Sequence, residues 1–283
     1  MAILGRRLER APFWIRWPVK WIVFAAVVFA VCYPHPSLLR RHLRNLKQID
    51  KLPDPTEPML QPMLRDLDEH LAACGVTTSA PAQWLRQVQV FVNHRIPYAF
   101  DWDSWGVVDY LPTLPEIIQQ GKEDCDGRAV VAAALIRAKI GEAQLVASST
   151  HMWVSTPLGE TMGPMGKPAL ASSAEGVRIR WTQFVNLTDF ATGVALFPLA
   201  REAIIVLTAW LLLLPAQIRN LQAFLCLLLL VEAWILFRLS GADPYQPSHW
   251  GARWALLHTL AAVVVISLNP RHFQKDTDRT VSP

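Results

Sequence analysis

The chain has 283 residues, 52% of them apolar and 18% charged, with 27 Lys and Arg against 23 Asp and Glu for a net charge of +4. That is too apolar for an ordinary soluble domain, and the mean hydropathy of +0.23 points to a membrane protein. No stripe of interleaved basic and aromatic residues crosses the middle of the chain, which argues against a nucleic-acid partner, and four cysteines, two of them in apolar segments, make no disulfide framework.

The N-terminus carries Arg6, Arg7, Arg10 and Arg16 ahead of an apolar run over 17–33, long enough to cross a bilayer with Lys20 snorkelling. No small-x-small cleavage site follows, so the segment reads as an uncleaved anchor rather than a signal peptide. Residues 37–48 and 58–74 read as amphipathic helices, the second with Met59, Leu60, Met63, Leu64, Leu67 and Leu71 at helical spacing. A proline-rich linker over 51–58 separates them. Cys74 falls at the end of the second helix, before Gly75. Residues 82–94 form a third helix, ended before Pro97. The loop 101–115 holds Trp102, Trp105 and Tyr110, either packed aromatic filler or one wall of a substrate groove. His70 and His94 lack a chemical context and read as surface residues.

The chemistry concentrates at Gly121-Lys122-Glu123-Asp124-Cys125-Asp126-Gly127. Here a polar turn feeds one cysteine into the first turn of an Ala-rich apolar helix. Free N–H groups and the partial positive charge at a helix N-terminus favour a thiolate. His151 follows 26 residues later, opening a short strand over 151–156. An imidazole within reach can take the thiol proton and return it to a leaving amine. Cys125 and His151 therefore read as nucleophile and base, with the Cys125 pKa expected below its ordinary value of ~8.5 and Asp124 and Asp126 turned to solvent. The Cys125 backbone N–H is the generic oxyanion donor, with Gln87 or Gln89 a second candidate. Zinc-type spacings such as Cys-x-x-Cys and His-Glu-x-x-His are missing, and neither a metal nor a cofactor is expected. Strands are predicted at 144–149, 151–156, 160–164 and 177–184, with a glycine-, serine- and proline-rich stretch over 159–176.

Asp124-Cys125-Asp126-Gly127, the following helix with its Lys139-Ile140-Gly141 exit, and His151-Met152-Trp153 resemble the transglutaminase-like superfamily, in particular bacterial transglutaminase-like cysteine peptidases. The upstream Val92-Asn93-His94-Arg95-Ile96-Pro97-Tyr98, Asp101 and Pro115-Glu116-Ile117-Ile118 fit the same pattern, so the resemblance covers roughly residues 84–165. It implies a cysteine nucleophile at Cys125, a histidine base at His151, and an aspartate on the next strand to orient the histidine. Gly163-Pro164 stands where the family has Asp-Pro. Glu160 is the nearest acid and the candidate third member, although it lies about three strand residues, ~10 Å, short of His151. A backbone carbonyl or a more distant acid could serve instead.

Beyond the middle domain, apolar stretches over 196–215, 221–239 and 254–268 predict three further membrane helices, about four in all. Glu202 with Arg201 lies near the start of the second span and Glu232 within the third, where it is expected to bond a neighbouring helix through His258 or Thr259. Basic residues at both ends, Arg271, Lys275 and Arg279 included, place both termini in the cytoplasm and 35–190 outside, although Arg40, Arg41, Arg44 and Lys47 just past the first span run against that signal.

The expected organisation is a cytoplasmic N-terminus and first span (1–34), an extracytoplasmic domain with a helical N-terminal extension (35–190), three spans (191–270) and a cytoplasmic tail (271–283). The expected fold class is α+β, a papain/transglutaminase-like domain with about four transmembrane helices. Its expected work is to cleave or transfer peptide or side-chain amides through a thioester. Expected partners are a protein or peptide substrate, the lipid bilayer and membrane proteins met through the spans. The alternative, motivated by Gly163, is a catalytically degenerate binding module within a membrane complex.

Overall fold

The computed structural model describes residues 12–164, 168–173, 176–180, 186–215, 218–243 and 246–267. Arg6, Arg7, Arg10, Gln217 and the tail cations Arg271, Lys275 and Arg279 lie outside the described residues, as does 181–185 of the last predicted strand. The chain divides into two compact units, one of residues 1–32 and 187–283 and the other of 33–186. It is mostly helical, with one small antiparallel sheet and three helices long and apolar enough to cross a membrane.

The first helix of the chain, α1, is Phe13–Cys32, and the second unit opens with α2, Pro36–Lys47. Pro36 sits in the first turn of α2, where its missing N–H costs no hydrogen bond. Two 3₁₀ turns, Ile49–Lys51 and Pro58–Leu60, bracket the proline-rich linker. In α3 (Gln61–Ala73) the residues buried are Met63, Leu67 and Leu71, four apart on one stripe. In α4 (Pro81–Arg95) they are Trp84, Leu85, Val88, Phe91 and Val92. A single turn, α5 (Asp101–Ser104), begins the aromatic loop. α6 (Leu114–Gln120) starts from a capping box, in which Thr113 and Glu116 satisfy each other's backbone, and ends at Gly121 with φ 71°.

The central helix is α7, Cys125–Ile140. Asp124 caps it by accepting from the Asp126 N–H at 3.1 Å. Ala129 through Ile136 are buried without interruption, so this helix is enclosed on every side rather than striped. Its alanines let neighbours approach closely, which a run of larger residues would forbid. One neighbour is the sheet, five strands in the order β3-β2-β1-β4-β5 with antiparallel pairing throughout. The strands are β1 Gln144–Ala147, β2 Met152–Thr156, β3 Gly159–Thr161, β4 Leu170–Ser173 and β5 Gly176–Ile179. The register runs Val146↔Trp153 and Ala147↔Met152 between β1 and β2, then Val154↔Thr161 and Ser155↔Glu160 between β2 and β3. Trp153, 2% exposed, is the largest side chain sealed in this core.

In the other unit, α1 is followed by α8 (Leu187–Leu196), α9 (Leu199–Leu213), α10 (Asn220–Gly241) and α11 (His249–Ser267). The candidate spans are Trp14–Cys32, Asn220–Gly241 and His249–Ile266. Among the described residues the count is three, where the sequence suggests about four. The predicted 196–215 segment is broken ahead of Pro198, whose ring disfavours helical backbone at Phe197. What remains in α9 is 15 residues, about 22 Å against a hydrocarbon layer of ~30 Å. Glu202, near the start of α9, pairs with Arg238 of α10 and accepts from Trp234 Nε1 at 2.8 Å. Arg238 also donates to the Val194, Ala195 and Phe197 carbonyls. Those are among the orphan acceptors at the end of α8, so one guanidinium caps one helix and neutralises an acid on another. Glu232 and His258 stand 3.5 Å apart, the partnership expected for them.

Candidate active site

The turn into α7 is tied down on both sides. The Glu123 N–H donates to the Pro97 carbonyl at 3.0 Å and the Ala99 N–H to the Glu123 carbonyl at 3.2 Å, a short parallel bridge. Arg128 adds a bond from Nε to the Ile96 carbonyl at 2.9 Å and lies over the Tyr98 ring. Gly127 completes the geometry. A Cβ there would stand 2.6 Å from Glu123 Cγ and 2.9 Å from its Cβ. Only glycine lets the Glu123 side chain fold over the first turn of α7.

Cys125 thus occupies the first helical position. The Met152 backbone N–H donates to its sulfur, so β2 begins against the thiol, and His151 is the residue immediately before β2. The bond from the Ser148 N–H to the His151 carbonyl at 2.8 Å fixes the hairpin between β1 and β2. His151 Nε2 lies 2.9 Å from the Met162 carbonyl. A carbonyl only accepts, so Nε2 carries the hydrogen and Nδ1 keeps the lone pair. Met162 has φ 68° and Gly163 φ 71°. A left-handed methionine is an uncommon, strained backbone state, and here it aims the carbonyl that holds the imidazole.

The predicted third members fall as follows. Glu160 is exposed, pairs in register with Ser155 and accepts from Trp153 Nε1 at 3.2 Å; the Nε2 bond of His151 goes to Met162. Gly163 does sit beside the base, since a Cβ on it would be 3.6 Å from His151 Nε2. Of the two glutamines, Gln87 turns toward the opposite end, accepting from His70 Nε2 at 3.1 Å and from the Cys74 thiol at 3.6 Å. Gln89 lies against β3, with Thr161 Oγ1 3.5 Å from its Oε1.

The electrostatics depart from the sequence expectation. Burial pushes the Cys125 thiol up, Asp124 adds to this, the Met152 N–H opposes it, and Asp109 and Asp101 raise it further. The expectation of a lowered pKa took both flanking aspartates to face water. Instead Asp126 is only 8% exposed and Asp124 is turned in to cap the helix. Asp101 and Glu123 join them from the loop and the turn, 2% and 0% exposed. One carboxylate oxygen from each of Asp101, Glu123, Asp124 and Asp126 lies within 4.8 Å of the others. Burial and then the neighbouring carboxylates push Asp101 and Asp126 well above the usual range. Glu123 is pushed up to about 7, by burial first, against a hydrogen bond from the Trp105 indole. Asp101 Oδ2 accepts from the Tyr110 N–H at 2.6 Å, while its Oδ1 is buried with no hydrogen-bond partner among the described residues.

Oxygen donors alone, with one orphaned acceptor among them, fit a hard divalent cation of the calcium or magnesium kind. This set is what sequence spacing misses. Asp101 lies 22 residues before Glu123, and no cation motif has that form; the one local signal is three acids in four residues against a single Lys122.

Compared with known proteins, the chain matches no family model, no curated protein and no solved structure.

Proposed function

We propose that the chain is a membrane-anchored, transglutaminase-like cysteine enzyme that opens peptide or side-chain amides through a thioester. One observation carries this reading. The strand that begins against the Cys125 sulfur is directly preceded by His151, whose Nε2 is held by the Met162 carbonyl. A helix with the thiol at its start, packed on an antiparallel sheet that presents the base, supports the transglutaminase-like fold assignment.

In this reading Cys125 Sγ bonds to the amide carbonyl carbon as its proton passes to His151 Nδ1. The Cys125 N–H, at the helix start, is placed to stabilise the oxyanion. The C–N bond then breaks, and the imidazolium gives its proton to the departing amine. Water adds to the thioester carbon with its proton going to His151. The C–S bond breaks, and the sulfur recovers that proton as the acid leaves. The Met162 carbonyl orients the imidazole as a carboxylate would, but with a partial charge it stabilises the imidazolium less. Asp101, Glu123, Asp124 and Asp126 are the residues that would hold a divalent cation. When bound, it supplies positive charge beside a thiol that burial and carboxylates otherwise keep protonated.

The raised thiol favours a second reading, the degenerate binding module. Labelling by a thiol-reactive amide mimic in intact membranes, with calcium and with chelator, separates the two. The expected result is labelling of the wild type, none of Cys125→Ala, and a loss of about 10²-fold in His151→Ala. Equal labelling of Cys125→Ala removes the nucleophile assignment. A wild type inert in both conditions leaves the binding module.

A further inference from the structure

The helix α2 has two unlike faces. The inner one grips the loop that leads to the site. Asn45 Nδ2 donates to the Leu111 carbonyl at 2.8 Å, and the Leu111 N–H donates to His42 Nδ1 at 3.1 Å. Arg41 pairs with Glu116 and lies over the Tyr110 ring. The outer face holds Pro36, Leu39, Arg40, Leu43, Arg44 and Lys47, which together line one shallow, open groove. Arg40, Leu43, Arg44 and Lys47 are exposed. Among the described residues, Arg40, Arg44 and Lys47 make no hydrogen bond or ion pair. Three exposed cations and two leucines, Leu43 exposed and Leu39 half-buried, thus recur at helical spacing on this face, and the nearest protein charge effect is that of Arg44 on Tyr110.

The covalent chain says what they meet. α1 ends at Cys32 and α2 starts at Pro36. The three residues between reach at most ~10 Å. A helix that begins this close to the end of a membrane span begins in the headgroup layer, where leucines find acyl chains and arginines find phosphates.

We propose that the outer face of α2 lies on the bilayer and binds anionic lipid headgroups through Arg40, Arg44 and Lys47, with Leu39 and Leu43 dipping beneath them. The occupant is the lipid surface of the membrane that holds α1, drawn by charge that screens with salt. This also accounts for the cations of 40–47 that run against the basic-residue signal for orientation: Arg40, Arg44 and Lys47 are lipid ligands and Arg41 is the partner of Glu116, so none of the four is a topology signal. The proposal stands whether or not Cys125 is a nucleophile. Its consequence is mechanical, because the inner face of the same helix bonds Leu111 and Glu116, and the loop over 101–115 is thereby tied to the membrane surface.

The test uses the full chain in nanodiscs, with a genetically encoded fluorescent amino acid in place of Leu43 and a headgroup-attached spin-label quencher. Quenching is expected in phosphatidylcholine discs containing phosphatidylglycerol and expected to fall sharply in phosphatidylcholine alone. Arg40→Gln, Arg44→Gln and Lys47→Gln combined should abolish the difference, while Arg40→Lys with Arg44→Lys keeps it, which separates lost charge from lost folding. Inorganic phosphate added to phosphatidylcholine discs should change nothing. Equal quenching in both compositions overturns the proposal. A phosphate-induced change that mimics the anionic lipid overturns it in favour of a free-anion site, and shielding that rises with protein per disc overturns it in favour of a second copy.

Discussion

At the scale of single residues, the site turns on charge. The thiol of Cys125 faces Asp124, Asp109 and Asp101 and is held protonated by burial and by them. Alkylation by iodoacetamide in chelator should therefore still be climbing above the ordinary thiol value of ~8.5, and calcium should move the midpoint down. An unchanged midpoint with saturating calcium would leave the four carboxylates without a role at the thiol. Stability follows the same charges with a definite sign. The folded-state pKa of Glu123, about 7, lies above its ordinary 4.5. The native state thus binds more protons than the unfolded chain between those values, and stability is lost as pH rises through the folded pKa. In chelator, the loss between mildly acid and neutral pH should reach about 3 kcal/mol from Glu123 alone. Calcium should restore it, read as a melting temperature that stops falling with pH. A second residue test concerns Gly163. A carboxylate there would start from a Cβ 3.6 Å from His151 Nε2, close enough to stabilise the imidazolium. Asp tolerates the left-handed backbone at a cost of about 1 kcal/mol. Gly163→Asp should speed alkylation of Cys125 at neutral pH on the order of tenfold; a slower variant would mean the carbonyl of Met162 is the better partner.

At the scale of elements, Gly127→Ala sets helix propensity against packing. Alanine is better by about 1 kcal/mol inside a helix. Its Cβ, though, would meet Glu123 Cγ and Cβ at 2.6 and 2.9 Å, near the backbone, where a side chain cannot swing aside. Overpacking of this kind costs about 1–3 kcal/mol, so packing wins and the melting temperature should drop; a rise would show that the turn relaxes freely. The elements themselves were readable. The helices over 37–48 and 82–94 carry strong periodicity and appear within a residue of their predicted bounds, while 58–74 appears as a 3₁₀ turn over Pro58–Leu60 that runs into the helix Gln61–Ala73. The Cys125 helix start and the His151 strand follow from local signals, a capping aspartate and a short β-rich run. What could not be read is what long-range folding assembles. Asp101 reaches Glu123 and Asp126 only because the aromatic loop folds back onto the turn, with Trp105 bonded to Glu123 and Tyr110 to Asp101. The Met162 carbonyl is likewise invisible in sequence, since any residue has one and only the left-handed φ aims it. The lowered thiol pKa failed for the same reason: exposure of Asp124 and Asp126 is a tertiary fact.

At the scale of the whole molecule, the remaining question is how many times the chain crosses the membrane. Three helices meet the length requirement, and an odd number of crossings would set the termini on opposite sides. The packing of α9 argues for a further crossing despite its 15 residues. It lies against α1 and runs antiparallel to it. Lys20, two turns into α1, donates to the carbonyl of Leu214 just past the end of α9 at 3.4 Å. At the other end, Arg201 near the start of α9 lies within electrostatic range of Cys32. From Lys20 to Cys32 is 12 residues and from Arg201 to Leu214 is 13, about 18 and 20 Å of helix. The two segments therefore run side by side over matching lengths in opposite senses. If α9 crosses as well, α10 and α11 bring the number of crossings to an even count, and the expected topology, with both termini in the cytoplasm, becomes the one to test. A reporter fused after Gly176 should accordingly be active only in its extracytoplasmic form, and one fused after Lys275 only in its cytoplasmic form. Cytoplasmic activity at both sites would put Cys125 in the cytosol. Extracytoplasmic activity at Lys275 would mean that α9 enters and leaves by the same face, and that the pairing of Lys20 with Leu214 does not mark a crossing.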